Sequence, residues 1–177
     1  MESTGVAEAL QKQFPGSVRE VRSHRGQLAV FVNREPIVDI CRYLKEDHLM
    51  NHLNCLCGVD NLKRKGLHHS RFEVVYQLYS IENRVALRLN ALIPDDDPSI
   101  DSVTDLWTGA DWLERETWDL VGIRFNNHPG LERILMPSDW QGHPLRKEYP
   151  LRGDVEWQGL EELRELAKRL SKHDFHQ

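Results

Sequence analysis

Two apolar runs joined by a tight polar turn constrain this chain more than any other feature. The segments "RFEVVYQLYSI" and "RVALRLNALI" are rich in β-branched and aromatic residues and flank Glu82-Asn83. Such a pattern reads as two adjacent strands connected by that turn. Upstream, "SVREVRS" and "QLAVFVN" form a second strand pair around His24-Arg25-Gly26, a hairpin signal. A further strand is expected in "HLNCLCGVD", ending at Gly58, followed by the charged loop "NLKRKGLHH".

Helices fill the gaps between these strands. Val6, Leu10 and Phe14 share a helical face that Ser3 or Thr4 can cap and that Pro15-Gly16 stops. Ile37, Ile40, Cys41 and Leu44 make a second stripe, running to about Asp47, with Pro36 at the welcome first-turn position. Beyond the polar connector "PDDDPSID", Thr108 and Asp111 resemble a capping box. There Ala110, Leu113, Thr117, Leu120 and Val121 fall on one helical face and Gly122 can end the helix. The expected fold class is α+β: a mixed or largely antiparallel sheet with flanking helices, then an extended arm and a C-terminal helix. Three parts follow: a compact domain over 1–125, an extended docking segment over 126–150, and a helical extension over 151–177. The last rests on the stripe Leu160, Leu163, Ala167 and Leu170.

Composition narrows the function. The 177 residues are 40% hydrophobic and 29% charged, ordinary for a soluble domain with a real core. A net charge of −5 argues against a nucleic-acid partner, which calls for a clustered basic face. No apolar run reaches the length of a membrane span, and "MESTGVAEAL" lacks a signal pattern, so any membrane link is expected to be indirect. The 3 cysteines fit a reducing compartment.

Local chemistry is sparse. Cys55 and Cys57 alternate along a strand, so both thiols are expected on one face, but only Cys41 could add a third thiolate where a closed metal site wants four ligands. All three read as small core hydrophobes. His48 and His52 lie four apart without the acidic partner of a zinc-helix motif, and His68-His69 sits in a polar loop. No glycine-rich nucleotide loop and no nucleophile elbow occurs. No catalytic, cofactor or metal residue is expected in this chain.

The helix after the connector is different. Glu114, Arg115, Glu116 and Asp119 stand beside Trp112 and Trp118, which read as exposed-side aromatics. An Arg115–Asp119 pair on a solvated face would account for the charges, at a gain of about half a kcal/mol or less. Tryptophans beside paired charges are also the composition of interface hot spots. The segment that follows keeps Leu131, Ile134, Leu135, Met136, Trp140 and Leu145, and a partner surface is a natural place to bury them. It closes on "GHPLRKEYP", where Pro144 and Pro150 bias His143 and Tyr149 away from helix, as in an extended arm.

The run "WLERETWDLVGIRFNNHPGLERILMPSDWQGHPLRKEYP" closely resembles the signature of the thirty-kilodalton subunit of NADH:quinone oxidoreductase (respiratory complex I), the C-type subunit of its peripheral arm. "FEVVYQLYSIENRVALRLNALIPDDDPSIDSVTDLW" is similar to that family's paired strands and connector, and the likeness covers about two-thirds of the chain. One departure is Val121, where the family usually places an aromatic before the helix-ending glycine.

The resemblance implies a peripheral-arm scaffold subunit without flavin, iron–sulfur cluster or quinone chemistry of its own; those cofactors belong to partner subunits. It implies docking on the quinone-site subunit of the D type, with the cluster-bearing B and I subunits nearby. The complex as a whole would be a translocase held at the cytoplasmic face of the membrane. The motif carries over at Glu114, Arg115, Glu116, Asp119, Gly122, His128, Pro129, Arg133, Asp139, Gly142, Pro144, Arg146, Lys147 and Pro150. The expected interface residues are Glu114, Arg115, Glu116, Trp118, Asp119, Arg133, His143, Arg146, Lys147, Glu148 and Tyr149. Similar subunits serve ferredoxin-fed and F420H2-fed complexes and membrane-bound hydrogenases, which offer the same scaffold role with another electron donor.

Overall fold

The computed structural model describes residues 3–66, 69–151 and 159–171. Its elements are α1 (Ser3–Gln13), β1 (Val18–His24), β2 (Gln27–Asn33), α2 (Ile37–Glu46), β3 (His52–Asp60), β4 (Phe72–Ser80), β5 (Val85–Ile93), β6 (Ser99–Asp101), α3 (Ala110–Val121), β7 (Arg124–Asn126) and α4 (Gly159–Ser171). The expected tail helix is present over the α4 span, and the rest of the expected extension lies outside the described residues.

The two strand pairs read from the sequence form as expected. β4 and β5 pair antiparallel in unbroken register from Phe72↔Ile93 to Ser80↔Val85. β1 and β2 close over Arg25 (φ 50°) and Gly26 (φ 77°), the doubly positive geometry of a twisted two-residue hairpin turn. The two units meet where β2 lies parallel to β5, giving a five-stranded mixed sheet in the order β1-β2-β5-β4-β3. β3 continues past Gly58 to Asp60, antiparallel to β4 with a bulge between Leu53 and Cys55.

One face of this sheet carries the core. Val30, Val74, Tyr76, Leu87 and Leu89 pack in one cluster with Val6 and Leu10 of α1 and with Ile37, Ile40, Cys41 and Leu44 of α2. The four α2 residues are fully buried, and each aliphatic one contributes about 1.5–3 kcal/mol through burial. α3 joins the same face over β3. Gly58 permits this approach, because a Cβ there would stand 2.8 Å from Cγ2 of Thr117. β6 and β7, on either side of α3 in the chain, pair parallel through Ile100↔Phe125 and hold the helix at both ends. Three-residue strands are too short for periodicity to show, and the sequence reading missed them.

Several local expectations change. The N-cap of α3 is Gly109 with no side-chain cap bond, so Thr108 does not close a capping box. Gly122 does end the helix, at φ 79°, with its N–H returning to the Trp118 carbonyl. Among the cysteines only Cys41 is buried; Cys55 is half-buried and Cys57 exposed, both near the sheet's edge strand rather than in the core. Burial pushes the Cys41 thiol well above its ordinary pKa. His48 is buried against Tyr43, with ring centroids 4.9 Å apart, while His52 is exposed. His68 lies outside the described residues, and His69 contacts Glu20. Among the described residues no three His, Cys, Asp or Glu side chains gather in a way that could hold a metal ion.

Candidate docking surface

Helical spacing puts Ala110, Glu114, Thr117 and Val121 on the inward face of α3, and all four are buried. Glu114 is thus an interior carboxyl rather than part of a charged outer face. Its Oε1 accepts the Val103 N–H at 2.8 Å, its Oε2 has no hydrogen-bond partner, and His128 Nε2 stands 4.0 Å away. Burial raises its pKa to about 7.

Asp119, also fully buried, does not pair with Arg115. Its Oδ2 accepts three successive backbone N–H groups, from Ile134 at 3.1 Å and from Leu135 and Met136 at 2.9 Å. Its Oδ1 accepts Arg133 Nη1 at 2.6 Å. Burial alone would raise the Asp119 pKa, but these donors overcome it and hold the carboxyl below its ordinary value. Arg133 extends the hub, donating to the carbonyls of Trp140 and Gly142. A single carboxylate therefore organises the loop that follows β7.

The stretch "GHPLRKEYP" is not an extended arm. It makes consecutive turns, with Arg146 N–H returning to the His143 carbonyl and Tyr149 N–H to the Arg146 carbonyl. The turns lie against the chain's own domain. Leu145 N–H donates to the Leu120 carbonyl at 2.8 Å. Arg146 Nε donates to the Val121 carbonyl at 2.8 Å, and Nη2 to that of Gly122 at 3.2 Å. The two prolines set the local φ angles, but the carbonyls exposed at the end of α3 supply the acceptors that fold the segment back.

A second carboxylate secures the far end. Asp60, whose side chain is 1% exposed, accepts the Lys147 N–H at 2.8 Å and the Leu62 N–H at 2.9 Å. Arg71 bridges Asp60, Asp95 and Glu148. The guanidiniums of Arg71 and Arg146 both lie over the Phe72 ring, 4.5 and 5.2 Å from its centroid. Sequence reasoning missed Asp60, Arg71 and Phe72, which sit at strand ends and meet the loop only in three dimensions.

The expected interface residues therefore divide. Glu114, Asp119, Arg133, His143 and Arg146 are engaged inside the chain, and Trp118 is half-buried beneath Arg133, 5.6 Å from its ring centroid. Arg115 spans the two classes: it lies 5.2 Å from the ring centroid of Trp112 and donates to the Glu132 carbonyl at 3.1 Å. Glu116 and Lys147 are exposed, Glu148 is exposed but paired with Arg71, and Tyr149 is half-buried. Three large apolar side chains on this helix and loop stay in solvent: Trp112, Leu135 and Leu145, at 62%, 62% and 55% exposure. Ordered backbone beneath exposed apolar side chains suits a docking surface.

Comparison with known proteins agrees with this architecture. Residues 30–155 match the family described as respiratory-chain NADH dehydrogenase, 30 Kd subunit. The C subunit of the NADH-quinone oxidoreductase of Geobacter sulfurreducens is 54% identical over 144 residues, spanning 81% of this chain and 87% of its own. That of a Roseiflexus species is 46% identical over 153 residues, spanning 85% and 86%. Among solved structures, the trypsin-resistant fragment (1-134) of Nqo5 superposes with a TM-score of 0.63 at 32% identity, covering 72% of this chain and 97% of the fragment. A chain of the membrane-bound sulfane sulfur reductase, an archaeal respiratory membrane complex, shares the fold at a TM-score of 0.64 and 21% identity, covering 93% of this chain and 91% of its own. On the span of the family match and the identity to these relatives, the chain belongs to the family of the 30 Kd subunit of respiratory-chain NADH dehydrogenase.

Proposed function

We propose that the chain is a scaffold subunit in the peripheral arm of a membrane-bound NADH:quinone oxidoreductase. It docks on the quinone-site subunit, of the D type, through the outer side of α3 and the loop over residues 127–150. The cluster-bearing B and I subunits lie nearby. Flavin and iron–sulfur clusters belong to those partners, and this chain contributes shape rather than catalytic groups. Its place is the cytoplasmic face of the membrane, reached through the complex; among the described residues no helix is long and apolar enough to cross a bilayer.

One observation carries this reading. The buried Asp119 fixes the loop by three backbone N–H bonds and an Arg133 ion pair, and the loop so fixed leaves Leu135 and Leu145 in solvent, as α3 leaves Trp112. An ordered loop loses little entropy on binding, so exposed apolar anchors on it are efficient docking groups.

The test is purification of the complex from detergent-solubilised membranes through a tag on this chain. The quinone-site subunit and NADH-oxidising flavin subunits should co-purify. Recovery of a hydrogenase-type or ferredoxin-linked set instead would keep the scaffold role and change the electron donor. Recovery of the chain alone would contradict the proposal.

A further inference from the structure

The face of the sheet opposite the helices is not bare. Register brings Glu20, Phe31, Asn90, Val75 and Cys57 into one cross-strand row, and sets Arg22, Ala29 and Arg88 in the next. A cavity of about 360 Å³ opens between them and is rimmed by Arg22, His24, Arg64 and His69. Glu73 is the carboxylate on its floor. Both of its oxygens are engaged: Oε1 accepts Asn61 Nδ2 and Oε2 accepts Asn90 Nδ2, both at 2.8 Å.

Two other polar groups in this cavity have no partner. Arg88 Nε is buried without an acceptor, and Asn90, 2% exposed, has a buried Oδ1 without a donor. Arg22 is held by Glu20 through two hydrogen bonds, and Glu20 also contacts His69. Arg88 has no such carboxylate among the described residues. A buried guanidinium nitrogen and a buried amide oxygen left unpaired are costly to the free chain. Two residues apart on one strand face, they ask for an acceptor and a donor arriving together.

We propose that this cavity is a second docking site, which receives an aspartate or glutamate side chain from another subunit of the complex. The incoming carboxylate accepts from Arg88, and an N–H of the same segment donates to Asn90 Oδ1. Charge favours this occupant, because three guanidiniums, Arg22, Arg64 and Arg88, line the cavity against the single lining carboxylate Glu73. A guanidinium also grips a carboxylate with two parallel bonds. Since α3 and its loop lie on the helix side, the site gives the protein an attachment on the other face of its sheet. The inference rests on the subunit role proposed above.

The test uses the assembled complex. Arg88→Glu and the milder Arg88→Gln are expressed in place of the wild-type chain, and retention in purified complex is compared with thermal melting of each isolated chain. Breaking a desolvated charge pair weakens attachment by roughly thirtyfold or more, so both variants should melt as folded domains and be lost from the complex on dilution. In parallel, p-benzoylphenylalanine replaces Phe31 on the cavity wall, and the complex is photocrosslinked. The crosslinked peptide should come from another subunit and contain an aspartate or glutamate, whose change to lysine should restore retention of Arg88→Glu. Normal retention of both Arg88 variants would overturn the proposal, as would a crosslink confined to this chain's own C-terminal segment. If Trp112→Asp releases the chain while Arg88→Glu does not, only this inference fails. If even the wild-type chain joins no complex, the subunit reading fails with it.

Discussion

Asp119 and Arg133, 14 residues apart in sequence, meet at 2.6 Å with the carboxylate fully buried. This pair joins the end of α3 to the loop that wraps it, and the loop's shape depends on it. Replacing Asp119 with alanine leaves Arg133 partly buried without its anion and three backbone N–H groups without an acceptor. The isolated domain should lose about 3–5 kcal/mol, read as a large fall in melting temperature. A shift within the error of the wild type would mean that the loop holds itself in place.

The same carboxyl sets an acid limit. Its folded pKa is depressed below the ordinary 3.8, so its contribution is complete above that value and is lost as pH falls through the lower folded pKa. Glu114 behaves in the opposite sense. With a folded pKa raised to about 7 against an ordinary 4.5, it binds more protons folded than unfolded between those limits. Stability should therefore decline as pH rises from about 4.5 to about 7, by on the order of 3 kcal/mol, and then level off. Glu114→Gln keeps an acceptor for the Val103 N–H and removes the titration. It should melt higher than wild type at pH 8 and show a flatter profile. Parallel profiles for the two proteins would show that Glu114 ionises freely in the fold.

Gly122 sits at φ 79°, and a Cβ there would lie 2.4 Å from the His143 ring and 2.7 Å from Arg146 Nη2. Gly122→Ala should cost at least ~2 kcal/mol, combining left-handed strain with displacement of both side chains. Protease sensitivity near residues 143–150 should rise along with it. Unchanged melting and cleavage would place the loop's anchor elsewhere.

Arg146 and Lys147 are neighbours in sequence with different roles. Arg146 donates to two carbonyls at the end of α3, whereas the Lys147 side chain is exposed and only its backbone N–H is engaged. Arg146→Ala should destabilise the isolated domain by about 2 kcal/mol, and Lys147→Ala should stay within about 0.5 kcal/mol. Equal effects from the two would contradict this division. Measuring the single variants matters, because a double charge reversal would mix a folding defect with any defect in docking.

Much of the fold was legible because its signals are local. The strand pairs around Arg25-Gly26 and Glu82-Asn83, the α2 stripe and the Gly122 stop all follow from spacing within a dozen residues. The parallel join of β2 to β5 was not legible, since long-range pairing leaves no mark in either strand. The site was half-legible. Glu114 falls on the helical spacing of Ala110, Thr117 and Val121, and that spacing alone could have placed it inside. Asp119 could not be placed that way, because its partners are backbone N–H groups of residues 134–136, which no side-chain pattern announces. The motif's charges read as docking groups in sequence; in the fold Asp119, Arg133 and Arg146 bind their own chain, and the residues left exposed beside them are the apolar Trp112, Leu135 and Leu145.

Whether this surface docks or catalyses is decided by NADH:quinone turnover per assembled complex, measured in membranes carrying Trp112→Asp with Leu135→Asp. Both side chains are 62% exposed, so the isolated chain should melt normally. Placing two charges in an apolar interface should cut the amount of assembled complex severalfold or more, with turnover per remaining complex unchanged. Full assembly with reduced turnover would contradict a docking role and make this surface part of the catalytic machinery.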